Sequence, residues 1–424
     1  MMQIHVNPEF STWEALTTRN IPADDEIESR VREIVDTVRR EGDVALRRYA
    51  LNFDGVTLDA LSLSDDERAA IASKVSPEVA EAIRHAAENI RRFHAAQTPA
   101  VVDVETQNGV RCVQKAVPIQ RVGLYVPGGS APLFSTVLML AVPAQIAGCK
   151  EVILCTPEGK NGIAPEIVFT ANLCGVHRIV RVGGAQAVAA MAYGTETLPR
   201  VDKIFGPGNR YVMKAKQLVS RDCSIDMPAG PSEVLVMADE TARPDFVAAD
   251  LLSQAEHGAD SQAMLVCQTV DFAERVVEEV KRQAALLPRQ AAVEGSLAHS
   301  HVIVLDTVDE QVAFANLYAS EHLIIAMKNP WGVAEEITSA GSVFIGNHAC
   351  ESAGDYASGT NHTLPTSGWA RSCSGVNLDS YMRKITYQEL TEKGLRDLSK
   401  TIVTMAEAEG LAAHANAVKI RTNP

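Results

Sequence analysis

The sequence of 424 residues lacks the marks of several protein classes. It has no run of basic residues, and a formal net charge of −14 works against non-specific contact with nucleic acid or an anionic membrane. No apolar stretch is long enough to span a bilayer. Met1 to Phe10 shows no charged segment followed by an apolar block, so no secretory signal is visible. The 8 cysteines include no Cys-x-x-Cys pair, which argues against a disulfide framework or a zinc knuckle. Cys155 and Cys267 stand in apolar, strand-like runs and are expected to be buried thiols. What is present is ordinary for a globular protein, with 46% apolar and 22% charged residues. A soluble cytoplasmic protein of about two to four domains is expected.

The opening segment, 1–20, reads as a short arm with few apolar anchors. Asp24-Asp25-Glu26 forms an acidic first turn for a helix carrying Ile27, Val31, Ile34, Val35 and Val38 on one face, stopped by Gly42. Ser64 and Glu67 predict a capping box, and Ser76-Pro77 predicts a helix start, with that helix running to about Phe93. His85 and His94 belong to it and are expected at the surface. From residue 120 strands and helices alternate. Strands are predicted at 122–126, 152–155, 178–182 and 203–205, and a second series at 233–237, 263–268, 301–305, 323–326 and 342–345. This rhythm implies parallel, right-handed, doubly wound sheets. The expected fold class is α/β, with two Rossmann-like doubly wound parallel-sheet domains plus small N-terminal and C-terminal helical segments. After about Ser374 the pattern ends, and 390–409 reads as mostly helical.

Three glycine-rich turns follow predicted strands: Pro127-Gly128-Gly129, Gly183-Gly184 and Gly206-Pro207-Gly208. At the carboxyl edge of a parallel sheet, such turns and the helix starts behind them face anions. None matches G-x-G-x-x-G, and each alone is also an ordinary tight turn. Tyr125, Gln186 and Asn209 are polar groups at these turns and could contact a nucleotide. In the helix predicted from Pro244 to a stop at Gly258, Gln254 and His257 share one face of the last turn. An amide oxygen and an imidazole nitrogen there could hold a metal, or His257 could simply favour the helix C-terminus. Glu321-His322, at a helix-to-strand junction, could run proton transfers or be merely solvated. Gly354 to His362 reads as a polar loop without a large aliphatic side chain, which suits a site, and offers Asp355 and His362. Glu409 and His414 stand near a C-terminal helix end.

Four stretches are similar to the histidinol dehydrogenase family: Met-Pro-Ala-Gly-Pro-Ser-Glu-Val-Leu-Val at 227–236, Asp-Leu-Leu-Ser-Gln-Ala-Glu-His-Gly at 250–258, Ser-Glu-His-Leu at 320–323, and Gly-Asp-Tyr-Ala-Ser-Gly-Thr-Asn-His-Thr-Leu-Pro-Thr at 354–366. The resemblance runs in order along essentially the whole chain. It implies a zinc-dependent, NAD-linked, four-electron dehydrogenase that takes L-histidinol through L-histidinal to L-histidine, the last steps of histidine biosynthesis. It implies one zinc per subunit and a homodimer with shared sites. By resemblance, Gln254, His257, Asp355 and, across subunits, His414 bind zinc. Ser232, Glu321, His322, His362 and Glu409 match substrate-contacting positions along with those ligands, and Tyr125, Gln186 and Asn209 match NAD-contacting positions. No position departs from the pattern. The expected division is an arm at 1–20, a first α/β domain from 21–119 and 233–373 with the metal and catalytic residues, an NAD-binding domain at 120–232, and a segment at 374–424 that reaches the partner subunit's site.

The expected chemistry has zinc positioning the amino alcohol, His322 taking the hydroxyl proton, and Glu321 activating water on the aldehyde. The rival readings are a zinc hydrolase, which leaves the glycine turns without a purpose, and a nucleotide-binding module without catalysis, which predicts no zinc.

Overall fold

The computed structural model describes residues 2–19, 25–128 and 132–422. Asp24 of the acidic turn and Gly129 of the first glycine turn lie outside the described residues. In chain order the strands are β1 Gln3–Val6, β2 Val102–Gln107, β3 Val110–Pro118, β4 Arg121–Tyr125, β5 Glu151–Cys155, β6 Arg178–Val180, β7 Lys203–Phe205, β8 Ser224–Ile225, β9 Glu233–Ala238, β10 Gln262–Cys267, β11 His301–Val304, β12 His322–Ala326, β13 Ser342–Ile345 and β14 Met382–Leu390. They form a five-stranded sheet, β6-β5-β4-β7-β8, a six-stranded sheet, β1-β11-β10-β9-β12-β13, and a three-stranded sheet, β14-β3-β2. The two larger sheets are parallel throughout, and the small one is antiparallel.

Both larger sheets wind the same way. The chain moves outward from β4 through β5 to β6, then returns past β4 for β7 and β8. The series from β9 repeats that order, and β1 is added at its outer edge. Strands β9 and β10 are buried along their whole length, as strands covered by helices on both faces must be. The predicted capping box at Ser64 and Glu67 forms, and Ser76 caps the helix Pro77–Ala95 with proline in its first turn. Cys155 and Cys267 are fully buried free thiols.

Several expectations are corrected by packing. The helices between residues 25 and 95 pack chiefly on the five-stranded sheet, and the last of them also meets the 233–373 part, where Asn89 Nδ2 donates to the Ala357 carbonyl at 3.0 Å. Val31, Val35 and Val38 of the helix Asp25–Glu41 pack with Ile153, Ile204 and Val212, while Ile83, Ala87 and Ile90 pack with Val122, Leu138 and Leu140. They cover the two faces of the five-stranded sheet. His94 is fully buried rather than exposed, because it stands one turn beyond Ile90 on the inward stripe; its Nδ1 lies 2.9 Å from the Ile90 carbonyl oxygen. The arm is anchored after all, through β1 beside β11 and through buried Met2 and Trp13. Segment 374–424 holds β14 as well as the helices Glu392–Ala408 and Ala412–Thr422. Strands β2 and β14 escape a reading of apolar alternation because their side chains are mostly exposed.

Candidate active site

A cavity of about 680 Å³ opens between the carboxyl edge of the five-stranded sheet and the amino edge of the six-stranded sheet. Pro127 after β4 and Gly206 to Asn209 after β7 line it from the first sheet. Ser232 before β9, with Glu321 and His322 at the start of β12, lines it from the second. The rule that ligands meet the carboxyl ends of strands therefore applies to one sheet only. Gln254, His257, Asp355 and His362 complete the wall.

The helix Pro244–Ala255 starts with proline in its first turn and Asp245 behind it. It ends sooner than expected, so Gln254 lies in its last turn and His257 in the turn beyond. The His257 N–H still donates to the Gln254 carbonyl at 3.2 Å, which keeps the pair adjacent. The expected loop at 354–362 begins as the end of a short helix, Glu351–Tyr356. That helix puts Glu351 and Asp355 one turn apart on one face. Ligand atoms of His257, Glu351 and Asp355 lie within 4.8 Å of one another. One imidazole and two carboxylates form a donor set suited to a divalent ion such as zinc.

Sequence reading missed Glu351. Its signal was the four-residue spacing to Asp355, hidden because Glu-Ser-Ala-Gly-Asp reads as a loop. Gln254 is fully buried beside it. With donors facing acceptors, the Gln254 amide nitrogen donates to both Glu351 oxygens, and its Oε1 accepts from the Glu233 N–H at 3.0 Å. A lone pair of that oxygen stays free for an ion. Burial pushes the Glu351 carboxyl up to about 8.

Glu321 and His322 are both buried. The Glu233 N–H donates to Glu321 Oε2 at 2.9 Å, and His322 Nδ1 lies 3.2 Å from the Glu233 carbonyl oxygen. That contact gives the Nδ1 proton an acceptor. His322 Nε2 is buried without a hydrogen-bond partner and lies 3.5 Å from Asp355 Oδ1. Desolvation raises Glu321 to about 8. Burial alone would lower His322, but the carboxylates of Glu321, Glu351 and Asp355 reverse this and raise it. Desolvation would likewise raise Asp355, yet His322, and then His362 and His257, hold it below its ordinary value. His362 is fixed at both ring nitrogens, with Nδ1 2.9 Å from the Asp355 carbonyl oxygen and Nε2 3.2 Å from Thr136 Oγ1.

The opposite wall is a clamped turn. Gly206 has φ +127°, and a Cβ there would overlap the Tyr125 carbonyl oxygen, so only glycine fits. Lys216, also missed from sequence, donates from Nζ to the Gly206 carbonyl at 2.8 Å and pairs with buried Asp226, which accepts the Gly206 N–H at 2.8 Å. Asn209 lines the cavity, and its Oδ1 accepts from the N–H groups of Tyr211 and Val212, starting the helix Arg210–Val219. Tyr125 and Gln186 lie at the same sheet edge but are buried and do not line the cavity; the Gly184 N–H donates to the Tyr125 hydroxyl at 3.1 Å. Glu409 and His414 are exposed at the C-terminal helices and do not line it either.

The chain matches the family model described as histidinol dehydrogenase over residues 17–422. It is 54% identical to the histidinol dehydrogenase of Bacteroides thetaiotaomicron, over 100% of this chain and 99% of that one. With the Salmonella typhimurium histidinol dehydrogenase it shares 53% identity over 96% of this chain and 94% of the other. The crystal structure of histidinol dehydrogenase from Elizabethkingia anophelis superposes with a TM-score of 0.96 at 51% identity, covering 99% of this chain and 98% of that one. Agreement over nearly every residue, in sequence and in fold, means that the chain belongs to the histidinol dehydrogenase family.

Proposed function

We propose that the chain oxidises L-histidinol through L-histidinal to L-histidine, in histidine biosynthesis, using NAD and one zinc ion per subunit of a cytoplasmic homodimer. Family membership supports histidinol oxidation. The observation that carries the site assignment is the buried Glu321-His322 pair lining one cavity with His257 and Asp355, with His322 Nε2 3.5 Å from Asp355 Oδ1. Gln254, His257 and Asp355 are the proposed zinc ligands, joined by His414 of the partner subunit. Of these, His257 and Asp355 have ligand atoms within 4.8 Å of one another and offer an imidazole and a carboxylate to a borderline ion, and the orphaned His322 Nε2 fits a substrate hydroxyl. Glu351 fixes the Gln254 amide by accepting its N–H groups, while the amide oxygen accepts from the Glu233 N–H. Tyr125, Gln186 and Asn209 are the proposed NAD contacts at the edge of the five-stranded sheet.

When bound, zinc supplies a Lewis-acid grip on the amino alcohol, and NAD supplies the electron acceptor for both steps. The chain's own residues move the protons. His322 takes the hydroxyl proton at Nε2, the ring nitrogen without a hydrogen-bond partner, in the first step. Glu321, whose raised value suits it to exchange a proton near neutral pH, activates water in the second step. Ser232, His362 and, from the partner, Glu409 contact the substrate. The test combines metal analysis of purified protein with NADH absorbance after adding histidinol and NAD. Stoichiometric zinc with two NADH per histidine formed is the expected result. Bound zinc without NADH would reject the reading.

A further inference from the structure

Behind Glu321 and His322 lies a second layer that no chemistry above uses. Arg19, at the end of the arm, forms a two-pronged ion pair with Glu233, with both N–O distances at 2.8 Å. The side chains are 13% and 1% exposed. The same guanidinium donates to the Tyr318 carbonyl at 2.7 Å and lies 4.0 Å above the Tyr318 ring. Glu233 also accepts the Ser367 N–H at 2.7 Å, from the segment that follows His362. Each hydrogen-bonding group of Glu233 is thus committed. Its carboxylate is held by the arm and by Ser367, its N–H is shared by Glu321 and Gln254, and its carbonyl meets His322.

We propose that Arg19 and Glu233 are positioning residues for the oxidation of histidinol: the arm clamps the first residue of β9, whose backbone sets the Glu321 carboxylate and the His322 tautomer. The inference rests on the functional reading above. A bidentate arginine–carboxylate pair restrains both translation and rotation of its partner, which a lysine point charge does not. A shift of about 1 Å in reacting groups can cost on the order of 100-fold in rate. The alternative is a buried ion pair that only stabilises the fold, for which removal of one charge is costly because the other is stranded.

The test therefore removes both charges together. In the Arg19→Met/Glu233→Gln protein, reconstituted with zinc, kcat for histidinol and for histidinal should each fall about 100-fold. The KM for histidinol should move far less, because His257 and Asp355 stand on other elements and keep their places. A folded double variant with wild-type kcat overturns the proposal, as does a loss confined to KM. If the double variant does not fold, Arg19→Lys decides, since it keeps the charge and loses the fork. A fall in its kcat with melting temperature and KM retained supports positioning, and an unchanged kcat rejects it. Wild-type protein in the same assay separates the two ideas. Absence of NADH from wild type would sink the functional reading, whereas active wild type beside equally active variants would sink only this one.

Discussion

Glu321 and His322 are neighbours in the chain whose surroundings act on them in different ways. Burial makes one a weaker acid, and the surrounding carboxylates make the other a stronger base. If Glu321 acts on water, it matters after the aldehyde exists. Glu321→Gln should therefore slow histidinal oxidation by about 100-fold or more and histidinol oxidation much less. Separate assays of the two half-reactions check this, and equal losses refute the division. A second residue bears on stability. Burial pushes the Asp250 carboxyl from 3.8 up to about 6. A carboxyl raised on folding adds stability that is complete below its unfolded value and disappears as pH rises through the folded one. At about pH 7 Asp250 is thus a liability, and Asp250→Asn should stabilise the protein by about 2 kcal/mol there. The gain should vanish near pH 4, a value set by the unfolded carboxyl. Melting curves of metal-free protein at both pH values decide, and an equal difference at the two would refute the account.

Among the elements, the short helix Glu351–Tyr356 does more for the site than its length suggests. One turn of helix presents Glu351 to Gln254 and Asp355 to His322. Gly354 packs against the Phe344 ring, where a larger residue would collide, so the helix lies tight on the six-stranded sheet. Because Glu351 aims the Gln254 amide, Glu351→Gln should weaken zinc binding by about 10- to 100-fold, the usual cost of losing an outer-shell partner. Competition with a chromophoric chelator measures it without any turnover, and unchanged affinity would remove Glu351 from that role. The turn at Gly206 has the same character on the opposite wall, where Lys216 and Asp226 hold a backbone conformation that a side chain could not adopt.

At the scale of the whole molecule, the two similar sheets meet with opposite ends facing the cavity. One lines it with the Gly206-Pro207-Gly208 turn, and the other with Ser232, Glu321 and His322. His414 and Glu409 stand exposed and outside it. If they serve a partner's site, two subunits with different defects should help one another. Mixed His414→Ala and Gln254→Ala subunits should recover activity, up to about a quarter of the sites being intact in random pairing. Confirmed heterodimers without recovery would exclude sharing. No helix among the described residues is long and apolar enough to cross a membrane.

Local pattern alone determined the alternating strands from β4 to β13 apart from the two-residue β8, the caps at Ser64 and Ser76, and the residue types for metal and proton chemistry, because periodicity and capping are short-range effects. The long motifs then identified the family. Only tertiary structure decided that the early helices cover the five-stranded sheet, that β14 pairs with β3, and that His94 is buried. It alone brought Glu351 to Gln254 and Arg19 to Glu233. Those pairings join residues far apart in the chain, and a charged side chain shows its partner only once burial has removed water as the alternative.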